Sequence, residues 1–291
     1  VPLSAVIGRR HSQTGWRHVH FVRMRKYWHV IGIGLQSNLT YRFNYLTRTL
    51  FSFIPLFAML SLWRTIYADK HGTASQNGFT QAQMIFYYML VAVVDVFTAV
   101  NEDDWQIAAD IREGNISQFL LKPVDYLWYR LCLFFSGRLA FIMMAIVPLA
   151  IFIFCFRAYF VLPVDGTALA VFPVSLLLTA LLQFFVSYAM AMLAFWLLEI
   201  STLIFILFAF EYLASGHLFP LALLPAPLFH ALLFTPFPYL LYLPISIYMG
   251  KVAGTDLWFG LAMQAGWVLL AYFFARFMWR RGIKKYSAFG G

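Results

Sequence analysis

Charge is scarce in this chain. Asp, Glu, Lys and Arg together make up 11% of its 291 residues, and 12 acidic residues face 21 basic ones. A soluble domain carries about a quarter charged residues, so an ordinary solvated globule is excluded. Cysteine is nearly absent: Cys132 and Cys155 stand alone in apolar surroundings, which leaves neither a disulfide framework nor a CxxC metal or redox site. No phosphate loop of the GxxxxGK type occurs, so the chain is expected neither to bind nor to split ATP. HExxH and GxSxG are also missing, and the seven histidines are scattered, without metal-ligand spacing. No catalytic residue, metal or cofactor is therefore assigned to this chain. The N-terminus shows no short apolar stretch ending in a cleavage site, so no cleaved signal peptide is expected.

What the chain has in abundance is apolar surface. Hydrophobic residues reach 62% and aromatics 20%, and runs long enough to cross a bilayer recur. The reading is an all-α integral membrane protein with one transmembrane domain over 46–279, between a basic N-terminal segment 1–45 and a tail 280–291. Six spans are expected, at about 46–68, 82–100, 131–156, 168–198, 200–219 and 257–279. Arg17, Arg23, Arg25 and Lys26 alternate with Phe21, Val22, Trp28 and Val30, as in an amphipathic interfacial helix, although a plain basic flank fits equally.

Lys and Arg crowd the first fifty positions and the last sixteen, beside apolar runs, which is a signature of membrane topology and not of nucleic-acid binding. Both termini are thus expected in the cytoplasm, together with the loop 101–130 and its Arg112, Lys122 and Arg130. The stretch 216–250 is apolar yet holds six of the 12 prolines, among them Pro220, Pro225, Pro236, Pro238 and Pro244. Each removes a backbone donor and obstructs the preceding turn. A pair of short helices over 220–250, dipping in from the outer face, is favoured over a kinked seventh crossing.

Loop 101–130 carries six of the 12 acidic residues. Asp103 and Asp104 suit the positive end of a helix dipole. Trp105, Ala108 and Ile111 recur on one side, against Asp103, Gln106, Asp110 and Glu113 on the other, and Gly114 and Asn115 end the pattern, with Asn115 able to cap a second turn. A solvated connection is the plainer alternative; a short two-sided helix on the cytoplasmic surface is what a soluble motor would push against.

Among intramembrane ionisable groups, Glu211 in the fifth span is the leading pathway candidate, with Gln183 in the fourth as its partner, against a purely structural hydrogen bond. Asp95 is placed near the cytoplasmic end of the second span and Glu199 at the turn between the fourth and fifth; His217 and His230 are read as interfacial or packing residues.

The stretches "DIREGNISQFLLKPVDYLWYRL", "SGHLFPLALLP", "PFPYLLYLPISIYMGK" and "RRGIKKYSAFGG" resemble, in order, permease subunits of ABC-2-type ATP-binding-cassette exporters of a six-span branch. The resemblance runs from about residue 20 to the end. It implies a coupling helix in the first cytoplasmic loop, involving Asp103, Asp104, Trp105, Ala108, Ile111, Arg112 and Gly114, and an outer re-entrant pair at the prolines. It further implies a second permease, the same chain or a related one, and separate ATPase subunits that bind ATP and Mg. Such a protein resides in the plasma membrane, as in a prokaryotic inner membrane, and exports a substrate that the residues do not identify: a drug, a lipid, a glycan precursor or a small peptide fits, an amphipathic one included. Importer permeases differ: here Ala108-Ala109 lies one residue too far from Gly114, and Lys122-Pro123 stands where Leu-Pro belongs. A secondary transporter driven by an ion gradient is the alternative, and a membrane-embedded lipid transferase a more distant one, since no nucleophile, base or metal ligands converge.

Overall fold

Apolar runs without turn chemistry must satisfy their backbone internally, and in the computed structural model of this chain they do so as helices. The structure describes residues 14–40, 42–68, 79–99, 103–159, 166–197 and 199–286. Among the described residues five helices are long and apolar enough to cross a membrane: α2 (Arg42–Ala68), α3 (Gln81–Thr98), α6 (Tyr126–Cys155), α7 (Gly166–Ala191) and α11 (Gly254–Lys285). They are preceded by α1 (Thr14–Thr40), and two short helices, α4 (Asp103–Arg112) and α5 (Ile116–Leu120), interrupt the series.

The ends of these helices follow local chemistry. Thr80 and Gln83 form a reciprocal capping box at the start of α3. Asp125 caps α6, accepting from the amides of Leu127 and Trp128, so this helix begins five residues earlier than the apolar run at 131. Over its described side chains, α1 lies along the first half of α6, where Ser136 Oγ donates to the Ile31 carbonyl at 3.0 Å and Lys26 Nζ reaches the Pro123 carbonyl.

The segment expected as a fifth crossing, 200–219, is shorter than a span. It forms α8 (Ser201–Ala214), whose 14 residues rise only about 21 Å against a hydrocarbon core of about 30 Å. The helix stops because Ser215 and Gly216 turn the chain, and prolines follow. Two short helices come next, α9 (Ala226–Leu233) and α10 (Tyr242–Tyr248), with single 3-10 turns at Leu221–Leu223 and Phe237–Tyr239. Pro220, Pro225 and Pro236 immediately precede the first residue of a short helix or turn, where a missing amide donor costs nothing. Pro238 and Pro244 lie one and two residues inside theirs.

Broken backbone of this kind needs partners, and neighbouring helices supply them. Tyr87 and Tyr88 of α3 donate to the carbonyls of Gly216 and Leu218 at 2.7 and 2.6 Å. Gln264 of α11, 0% exposed, donates to the Tyr239 carbonyl, the Ser175 carbonyl and Thr179 Oγ1, while Ser175 Oγ returns a bond to its side-chain oxygen. One buried amide thus pins α7, α11 and the second 3-10 turn together.

Candidate functional site

Helix α4 is bedded by a face that the alternation of polar and apolar residues only half displays. Ile107, Ala108 and Ile111 are buried, with Ile116 of α5 beside them, whereas Trp105 stands 37% exposed at the margin. Ala108 packs with Ile200 and Ile204 at the start of α8. Ala108 and Ile111 therefore seat the helix, and among the described side chains Trp105, Gln106, Arg112 and Glu113 are exposed. The side chains of Asp103 and Asp104 lie outside the described residues.

Asp110, expected on the solvated side, turns inward. It pairs with Arg130 NH2 and accepts from Tyr126 Oη at 2.8 Å, while Arg130 Nε donates to the same Tyr126 oxygen at 2.9 Å and its NH1 to Gln106 Oε1 at 3.4 Å. This closed ring of Asp110, Tyr126 and Arg130 joins α4 to the first turns of α6. The Tyr126 ring stacks on Trp279 of α11 at 5.1 Å, and Arg276 pairs with Asp125, the cap of α6, at 2.6 Å. Past the end of α4, Gly114 adopts φ 80°, a left-handed conformation suited to glycine at a helix end. Its carbonyl accepts from Tyr286 Oη at 3.0 Å and from Ser117 Oγ at 2.7 Å. Asn115 does not cap α5; its side chain donates to Glu113 instead. Side chains thus link α4 and its end to α6 and α11 independently of the intervening loop.

A second polar assembly lies where α8 breaks. Gln183 of α7 donates to Glu211 at 2.8 Å, both buried, so the two pathway candidates meet. One turn on, Ser215 Oγ and His217 Nδ1 share a hydrogen bond of 2.7 Å, and His217 Nε2 lies 3.0 Å from Asp95 Oδ1 of α3. The imidazole also stacks on Tyr212 at 4.9 Å. Asp95, Arg138, Tyr212 and His217 share one cavity of about 390 Å³ with an apolar wall that includes Leu56 and Phe141. Ser215 is 0% exposed, so its hydroxyl presents no surface to an ester or amide, and the Ser-His-Asp chain acts as a brace. Apart from this pair, Glu199 sits exposed ahead of α8; the Ser201 hydroxyl and amide that donate to it hold its carboxyl below the usual range.

Sequence reasoning missed the Asp95–His217 pair because the residues lie 122 positions apart, Asp95 reading as an acid within the second span and His217 as an interfacial or packing residue. Gln264 and Ile107 were missed likewise; Ile107, adjacent to Ala108 in an apolar triplet, carried a signal, and Gln264 carried none beyond being polar inside an apolar run. Among the described residues no group of three or more His, Cys, Asp or Glu could hold a metal ion.

Residues 53–290 match the family model described as ABC-2 family transporter protein. No curated protein and no solved structure matches the chain.

Proposed function

The chain belongs to the ABC-2 transporter family as a multi-pass membrane component, and on that premise we propose that it is the permease subunit of an ATP-driven exporter. In this reading α2, α3, α6, α7 and α11 cross the bilayer, and α8 with the turn after it makes a sixth, shortened crossing. Both termini lie on the cytoplasmic side of a plasma membrane, such as a prokaryotic inner membrane, a reading that the basic flanks support. Helix α4 faces a separate ATPase that carries ATP and Mg, and a second permease, identical or related, completes the pathway. The short helices α9 and α10 form an outer re-entrant gate, and Glu211 with Gln183 lies beside the route of an amphipathic substrate.

The observation that supports it is the seat of α4: apolar residues bed one side against α7 and the 3-10 turn Met192–Phe195, the Asp110–Arg130 ring ties it to α6, and Trp105, Arg112 and Glu113 stay on the exposed side. ATP closing two partner subunits would move α4 as a rigid lever and bias the bundle between inward- and outward-open states. The test is purification from the native cells in mild detergent, followed by ATPase measurement. Wild type should bring a soluble ATPase subunit at equal stoichiometry. Trp105→Ala/Arg112→Glu, which leaves the buried seat intact, should lose most of that subunit without a change in thermal unfolding. Full retention of the ATPase by this variant would refute the assignment of α4.

A secondary transporter is the second reading, favoured by one observation: an acid and an imidazole, Asp95 and His217, meet where a helix breaks. Transport that continues without any ATPase, collapses with the proton gradient and is abolished by Asp95→Asn would establish it.

A further inference from the structure

The basic end of α11 is shaped as well as charged. Its 32 residues span about 48 Å, well beyond a hydrocarbon core of about 30 Å, and on the proposed reading that α11 crosses the bilayer its basic last turns stand at the cytoplasmic boundary. Phe277, Arg281, Lys284 and Lys285 follow one another on one face of those turns. Trp196, just past the 3-10 end of α7, and Leu193 lie opposite, and together they line an open, shallow concavity of about 670 Å³. The Arg281 guanidinium rests 5.3 Å from the Phe277 ring centroid, so cation and aromatic ring lie side by side in the lining. No acidic side chain lines the concavity among the described residues.

We propose that this cradle holds the headgroup of an anionic phospholipid, with the phosphate among Arg281, Lys284 and Lys285 and an acyl chain descending over Phe277 and Leu193. A guanidinium fork matches phosphate geometry, and an indole is at home at headgroup depth. The apolar half of the lining decides the occupant: a soluble phosphate or an acidic protein surface would leave Phe277, 51% exposed, and Trp196, 36% exposed, without a use. General attraction between scattered basic residues and an anionic surface would not need cations and aromatic side chains on one concave face.

The experiment measures phosphatidylglycerol retained by the detergent-purified protein in native mass spectrometry, and its binding in phosphatidylcholine nanodiscs doped with phosphatidylglycerol. Each cation near the headgroup contributes about fivefold, so Arg281→Gln/Lys284→Gln should bind roughly 25-fold more weakly. Lys122→Gln/Arg280→Gln removes the same charge from exposed positions outside the cradle and should bind as wild type does. Phe277→Ala keeps every cation and should still weaken retention. Equal losses in the two charge variants would overturn the proposal, as would unchanged binding by Arg281→Gln/Lys284→Gln or by Phe277→Ala. Competition by inorganic phosphate as strong as that by the lipid would make this a soluble-anion site. Loss of an ATPase subunit with lipid binding unchanged would make it a docking surface for protein. Either result overturns the lipid assignment.

Discussion

Replacing Arg130 with Met tests whether the ring beneath α4 holds the bundle together. Arg130 is 5% exposed, and it donates to Asp110, Tyr126 and Gln106 at once. Methionine fills much of the same volume, so the loss is mainly electrostatic. Breaking a buried pair by removing one partner costs about 3–5 kcal/mol. Asp110 keeps its bond from Tyr126, and its side chain is 19% exposed, so part of the stranded charge is rehydrated. The lower end, about 3 kcal/mol, is expected, equivalent to a fall of roughly 6–12 °C in the unfolding midpoint. The assay is thermal unfolding in one detergent for wild type, Arg130→Met, Asp110→Asn and the double variant. The double variant should be no less stable than Arg130→Met, because a neutral amide beside Tyr126 no longer strands a charge. Strictly additive losses, or an unchanged midpoint for Arg130→Met, would show that the ring does not bear on stability.

Two further substitutions probe the packing. A Cβ on Gly282 would lie 2.2 Å from the Phe195 ring, which is itself held by edge contacts to Trp279 and Tyr286. Gly282→Ala should therefore destabilise by about 1–3 kcal/mol, and adding Phe195→Leu should recover part of that; thermal unfolding at the wild-type temperature would contradict the close approach. Tyr87→Phe removes the donor to the Gly216 carbonyl and should cost about 1 kcal/mol, within the range measured for hydrogen bonds in membrane bundles. A cysteine substituted at the exposed Leu218 should react faster with a water-soluble maleimide in that background, and an unchanged rate would show that Tyr87 does not hold the turn.

By itself the sequence determined the class of this protein, because apolar length and the scarcity of charge are properties of single segments that a bilayer tests one at a time. Five of its runs became helices of crossing length, and prolines divided 220–250 into short pieces, since a missing amide acts locally. Ala108 and Ile111 were legible as one face of a surface helix for the same reason. Only the tertiary structure decided that Gln264 joins α7 to α11, that Asp110 turns inward to Arg130, and that Asp95 meets His217. Those outcomes depend on which groups find partners across distant helices. A buried charge or a broken backbone is tolerated where a neighbour supplies the matching donor or acceptor, and that neighbour is set by packing, not by adjacency along the chain.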